Sequence, residues 1–262
     1  MNSLVSNCVG TLLGTYAKLI QRTAPLYVAG SQHVQQAMRT GRPLIVAGWH
    51  GQAHLLYGTL VSQMPANRYR MAVADDARLQ LLSRFAINVG FDPTAVDVQG
   101  RDISGIRKLT RLMVRASSNG CLVIFPDGPD GPGRVAKQGV ALLAQVTKAL
   151  VIPIGGAANY AHSLRRWDHY KLPLPFDRII AVYRPPLECT GGHDRDRFLD
   201  HLTTELNLAH EQAREMLSAG ALDSAMRMKR FESGRTLAAS SPIEDHYARR
   251  SPAHRDSELV GN

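Results

Sequence analysis

The sequence predicts an α/β fold: a mainly parallel central sheet with helices on both faces. Short runs at 44–47, 70–74, 95–98, 121–125 and 151–154 have strand character, and segments of helical periodicity lie between them. Alternation at such intervals is the pattern of parallel strands joined by crossover helices. Most of the runs are apolar at successive positions, which fits strands buried on both faces. The 262 residues, 44% of them hydrophobic, suffice to bury one such domain with short appendages.

Taken in order, residues 3–22 place Val5, Val9, Leu12, Leu13, Tyr16, Leu19 and Ile20 at helical spacing, with Lys18 and Arg22 near the end and Pro25 as the stop. Residues 1–25 are therefore expected to form an N-terminal amphipathic helix. Two roles fit it: resting in a membrane interface with its basic residues at the headgroups, or docking on the domain. The domain itself is expected over 26–220. Strand 44–47 runs into Gly48, Trp49 and His50, and a helix over 53–61 follows the Gly51 hinge, so His50 stands at a strand-to-helix junction. A strand over 70–74, a helix over 77–89, a strand over 95–98 and a helix over 105–117 come next, the last ending near Asn119-Gly120. Strand 121–125 is followed by a helix over 138–148 and strand 151–154, in which Pro153 suggests a strand end or bulge. A strand over 178–183 and a long packing helix over 195–217, with Phe198, Leu199, Leu202 and Leu206 on one side, complete the domain. From 233 to 262 the composition turns to Ser, Arg, Pro, His and acidic residues, as in a disordered tail.

The chain is organised around C-L-V-I-F-P-D-G-P-D-G-P-G, residues 121–133. Pro126, Pro129 and Pro132 remove backbone donors, while Gly128, Gly131 and Gly133 permit conformations that other residues avoid. The strand cannot continue, and Asp127 and Asp130 are held just past the carboxyl end of a central strand, where open α/β sheets bind ligands. Imidazole readily exchanges protons near neutral pH, so His50, at the end of another strand, is a candidate general base. His54 lies one helical turn further on, but Gly51 stands where the zinc-peptidase motif H-E-x-x-H has its glutamate, and no metal is expected. Gly100 and Arg101, before the helix start at Ser104-Gly105, and Arg134 and Lys137, beyond the proline turn, are candidate phosphate or head-group contacts.

Composition narrows the partners. Cys8, Cys121 and Cys189 are too few and too scattered for a disulfide framework or a metal knuckle, which points to a reducing compartment. No run of 18 apolar residues and no basic segment followed by a cleavage site occurs, so neither a membrane span nor a signal peptide is expected. The formal net charge is +9, and no acid precedes Asp75, whereas Lys18, Arg22, Arg39, Arg42, Arg68 and Arg70 do. Such a field attracts phospholipid head groups, an acidic carrier protein or the phosphates of CoA. No motif with interleaved aromatics accompanies the charge, so nucleic acid is not the expected partner.

His50 after its strand, Gly100-Arg101, Phe125-Pro126-Asp127-Gly128 and Val151-Ile152-Pro153-Ile154 follow the order and spacing of the four blocks of the glycerolipid and lysophospholipid acyltransferase superfamily. The chain resembles that superfamily over residues 26–187. Its W-H-G, D-G-P-x-G-P and R-W-D-H-Y-K-L-P-L-P-F segments are most similar to a bacterial branch of lysophospholipid-acyltransferase-like proteins once labelled only as a domain of unknown function. The resemblance implies transfer of an acyl group from a thioester, acyl-CoA or acyl carrier protein, onto a hydroxyl of a lipid or other small-molecule acceptor. His50 would be the base, with no acyl-enzyme and no bound cofactor. Asp127 would be the acid of the acceptor-binding block, and Gly100, Arg101, Gly128, Arg134 and Lys137 would face the substrate. It also implies a cytoplasmic protein, peripheral on the inner face of the cell membrane. Two departures stand out. The superfamily pattern H-x-x-x-x-D, whose acid orients the imidazole, has Leu55 at the acidic position, leaving Asp75, Asp76 or Asp127 to supply that role. The arginine of D-G-P-R-G-P is Asp130, which shifts an anion contact to Arg134 or alters the acceptor. These departures keep open a noncatalytic lipid- or acyl-carrier-binding protein on the same fold.

Overall fold

The apolar runs pair into one sheet. The computed structural model describes residues 3–63, 69–97, 104–115, 121–191, 194–219 and 226–227. The chain divides into two units, Met1–Phe231 and Glu232–Asn262, and the tail expected over 233–262 lies outside the described residues. In the first unit β1 (Leu26–Ala29), β2 (Leu44–Ala47), β3 (Tyr69–Ala74), β4 (Asp92–Val96), β5 (Cys121–Ile124), β6 (Leu150–Ala158), β9 (Ile179–Tyr183) and β11 (Met226–Arg227) lie side by side in the order β11-β1-β9-β6-β2-β5-β3-β4, and β10 (Leu187–Glu188) also pairs with β6. β7 (Ala161–Ser163) and β8 (Lys171–Pro173) form a separate antiparallel pair.

The centre of the sheet is parallel. β2 runs between β5 and β6, with Val46 opposite Val123 on one side and Ile152 on the other, and β3 runs parallel to both β5 and β4. The carboxyl ends of β2, β3, β4 and β5 therefore open on one edge. Successive residues of a strand point to opposite faces, and helices cover both. Leu44 and Val46 pack with α2 (Ser31–Arg39), α3 (Ala53–Gln63) and α4 (Leu79–Val89) through Val34, Leu56, Leu60 and Phe85. Ile45 and Ala47 pack with α5 (Ser104–Arg115), α6 (Gln138–Thr147) and α7 (Arg195–Ser218) through Leu109, Val140, Leu202 and Leu206.

Three elements differ from expectation. β4 starts at Asp92 instead of 95; as the edge strand beyond β3 it tolerates Pro93 and an exposed Asp92. β6 does not stop at Pro153. The proline falls where β6 passes from β10, paired through Val151, to β9, paired from Ile154, so its missing donor costs no ladder bond on that side. Beyond the end of β2, the Gln52 side chain takes over on the other side, accepting the Gly156 N–H at 3.0 Å. The third is α1 (Ser3–Thr23). It buries Ser6, Gly10, Gly14, Ala17 and Ile20, whereas Leu4, Val5, Val9, Leu12 and Leu19 are exposed. A Cβ on Gly10 would lie 2.5 Å from the Leu81 carbonyl oxygen and one on Gly14 2.4 Å from Asn88 Cβ, so α1 meets α4 backbone to backbone.

Candidate active site

β5 ends at Ile124, and the proline turn closes on itself. The Gly128 N–H donates to the Phe125 carbonyl at 3.0 Å, and the Lys137 N–H donates to the Pro126 carbonyl at 3.0 Å. The Lys137 ammonium donates to the Gly128 carbonyl at 3.1 Å, and Lys137 is also the residue that precedes α6. Gly131 has φ 74°, and a Cβ there would stand 2.8 Å from the Trp167 ring, so both backbone and neighbour require glycine.

Asp127 is buried and accepts two backbone donors, the His50 N–H at 2.9 Å and the Arg134 N–H at 3.1 Å. Burial pushes its carboxyl above the usual carboxylate range, and the two N–H groups oppose that rise. The acid therefore ties the far side of the proline loop, where Arg134 sits at φ 61°, to the start of the turn His50–Gln52. It fixes the backbone of His50 and does not engage the ring through a hydrogen bond.

The ring has another partner. His50 Nδ1 lies 2.7 Å from Asp168 Oδ2, and the Asp168 side chain has no exposure while that of His50 keeps 26%. In the tautomer with the proton on Nδ1 the carboxylate accepts it, which leaves the lone pair on Nε2. Asp168 also has Arg166 Nε 3.4 Å from its other oxygen. It sits in the loop between β7 and β8, which is closed by Leu164 N–H to the Tyr170 carbonyl at 2.9 Å and His169 N–H to the Arg166 carbonyl at 3.1 Å. Trp167, Phe125 and Tyr170 stand around the imidazole at ring-centre distances of 5.4, 5.8 and 5.7 Å. Gly51 lets this loop approach: a Cβ there would lie 2.0 Å from the Asp168 carbonyl oxygen. Gly51→Ala is accordingly expected to destabilise the fold by about 1–3 kcal/mol, since backbone must move, with the loss read by urea unfolding.

The acid beside the imidazole is none of the three considered from sequence. Asp127 holds backbone, Asp76 is paired with Arg78 at 2.5 Å, and Asp75 joins the edge of the sheet through its N–H, which donates to the Val96 carbonyl at 2.9 Å. Asp168, part of the R-W-D-H-Y-K-L-P-L-P-F segment and not among those candidates, reaches the ring across 118 positions. Its one legible signal is its place in R-W-D-H-Y, and that pattern names no partner. Leu55, at the superfamily's acidic position, is buried with Ile20, Ala24, Leu26 and Ile179. A Cβ on Gly128 would be 3.3 Å from His50 Cδ2, so the residue lies beside the ring, and the Lys137 ammonium holds its carbonyl. The Arg134 side chain is exposed. Asp130 engages Arg78 at 3.1 Å, so a guanidinium still stands at this loop, supplied from the start of α4. Gly100 and Arg101 lie outside the described residues.

His54 belongs to the core beneath the site. Its Nδ1 meets the Tyr170 hydroxyl at 2.5 Å, and its ring packs against Tyr16, Tyr57 and Phe85. Burial pushes it down to about 4. An unfolded histidine titrates near 6.5, so between that value and about 4 the unfolded chain binds the extra proton and stability falls as pH falls. The expected loss from this group is about 2 kcal/mol between pH 7 and pH 5. Buried Asp127 and Asp177, both raised, act in the opposite sense. The His54 contribution is therefore read as the difference in urea stability between wild type and His54→Gln at the two pH values.

No family model matches the sequence. An uncharacterized protein of Rickettsia prowazekii (strain Madrid E), RP090, is 27% identical over 105 residues, 40% of this chain and 46% of that protein, so the match spans under half the length of that relative. Among solved structures, the 1-acyl-sn-glycerophosphate (LPA) acyltransferase PlsC from Thermotoga maritima superposes with a TM-score of 0.50 and 12% identity, covering 81% of this chain and 83% of the other. At that identity the likeness is one of fold, and it agrees with the α/β architecture.

Proposed function

We propose that this protein is an acyltransferase that moves an acyl group from a thioester, acyl-CoA or acyl carrier protein, to a hydroxyl of a lipid or other small acceptor. One observation carries the proposal: a partly exposed imidazole with a buried carboxylate on Nδ1, at the carboxyl edge of a parallel sheet with a fold like that of a glycerophosphate acyltransferase. In the proposed step Nε2 of His50 takes the acceptor hydroxyl proton while that oxygen attacks the thioester carbonyl carbon. The tetrahedral oxyanion collapses, the carbon–sulfur bond breaks, and the imidazolium returns its proton to the leaving thiolate. An ester and a free thiol result, with no acyl-enzyme. Asp168 holds the ring and stabilises the imidazolium, Asp127 positions the His50 backbone, and Gly128 keeps the space beside the ring open. Gly100, Arg101, Arg134 and Lys137 are proposed to face donor or acceptor phosphates, in keeping with their cationic or glycine character.

The noncatalytic binding alternative drew support from Leu55, and the Asp168 contact weakens that ground. The setting we propose is peripheral, on the cytoplasmic face of the cell membrane, in keeping with the uncompensated cations before Asp75. Among the described residues no helix is long and apolar enough to cross a membrane.

The test is consumption of acyl-CoA and acyl carrier protein thioesters against a panel of lysolipids and simple alcohols, with products identified by mass spectrometry. A new ester formed by wild type and lost by about 10³-fold or more in His50→Ala is the expected result. Lipid or donor binding without turnover across the panel would establish the noncatalytic alternative.

A further inference from the structure

We infer that α1 and the segment between β8 and β9 form one continuous surface that seats in an anionic lipid bilayer; this deepens the proposed peripheral setting by naming the surface that makes it. A helix that merely docks on a domain buries its large apolar side chains. α1 buries Ile20 but turns mostly small residues inward, Gly10 and Gly14 approaching α4 too closely for any larger side chain, and leaves Leu4, Val5, Val9, Leu12 and Leu19 exposed. Val5, Leu12 and Leu19, spaced i, i+7 and i+14, then form an outward row along the helix, with Leu12 70% exposed.

The second element extends that row. Leu174 and Phe176 follow β8, and Phe176 is 74% exposed. Its φ of 67° is a strained choice for a bulky residue and holds an aromatic ring outside the core. The two elements are joined by hydrogen bonds: the Tyr16 hydroxyl donates to the Pro173 carbonyl at 2.7 Å, and the Phe176 N–H donates to Thr23 Oγ1 at 3.4 Å. Aromatic and aliphatic side chains thus project from adjoining elements with exposed Lys18, Arg22 and Arg178 in the same segments. α1 contains no acid. Apolar residues among exposed cations match the acyl boundary and phosphates of an anionic leaflet. A second copy of this chain is the poorer occupant, because two such helices would bring Lys18 and Arg22 toward their counterparts with no acid on the helix to pair them.

Vesicle flotation of the full chain tests this without requiring turnover. Wild type is expected to float with phosphatidylcholine–phosphatidylglycerol vesicles and far less with phosphatidylcholine alone. Leu12→Glu and Phe176→Glu are each expected to lower partitioning by about tenfold or more, with circular dichroism and thermal melts unchanged because both sites are exposed. Failure of wild type to float overturns the inference. So does a Phe176→Glu protein that floats like wild type, which would leave α1 as the whole surface, or a dimer in sedimentation velocity that Leu12→Glu dissociates. A protein that floats as described yet transfers no acyl group supports this inference and overturns the proposed activity.

Discussion

Asp168→Asn is expected to lower kcat for acyl transfer by about 10²–10⁴-fold with little change in KM. Asparagine is nearly isosteric and fills the same buried site, so packing survives. What changes is the partner of His50 Nδ1, now 2.7 Å from a carboxylate oxygen. A carboxamide either accepts weakly through oxygen or offers N–H, which favours the tautomer with its lone pair on Nδ1 and its proton on Nε2. It also removes the negative charge that stabilises the imidazolium during transfer. A role confined to packing predicts the opposite pattern, a lower melting temperature with kcat kept in the folded fraction. Chemical rescue separates the two: formate is expected to restore part of the rate of Asp168→Ala and to leave its melting temperature unmoved. Retention of kcat within about threefold in Asp168→Asn would show that the carboxylate does not serve the base.

Asp127→Ala is expected to produce the largest loss of stability, about 2–5 kcal/mol. Its carboxylate is the acceptor for the His50 and Arg134 N–H groups, and an unmatched buried donor costs about 1–3 kcal/mol. For a chain of this size that corresponds to a fall in Tm of roughly 5–15 °C. Activity is expected to fall as well, because the turn that carries His50 and the loop that carries Gly128 lose their common anchor. Asp127→Asn keeps one acceptor oxygen and is expected to lose about half as much. Differential scanning calorimetry of the three proteins decides it: equal melting temperatures would mean that water satisfies both donors and that the acid's burial serves something else.

Much of the fold was legible in the chain. Leu44–Ala47 and Cys121–Ile124 are apolar at every position, and only a strand covered on both faces asks for that. The turn after β5 was legible because proline and glycine act through their own φ and their own missing atoms. His50 was legible as a residue just past a strand end. Pro153 was misjudged because its cost depends on which neighbour faces its missing donor, and that is a property of the sheet. α1 was found by periodicity, yet its inward side is small residues except for Ile20, since closeness to α4 outweighed the burial of most large side chains.

The sequence by itself determined the α/β alternation, the proline-braced turn beyond β5 and the placing of His50 and Asp127 at one edge of the sheet, because each follows from local periodicity or from backbone limits of single residues. The tertiary structure alone decided that Asp168, and not a nearer acid, reaches the imidazole, and that Leu4, Leu12 and Leu19 of α1 face outward. Both depend on which distant backbones can approach closely, Gly51 to the Asp168 carbonyl and Gly10 to that of Leu81. Contacts between segments so far apart in the chain leave no periodic signal along it.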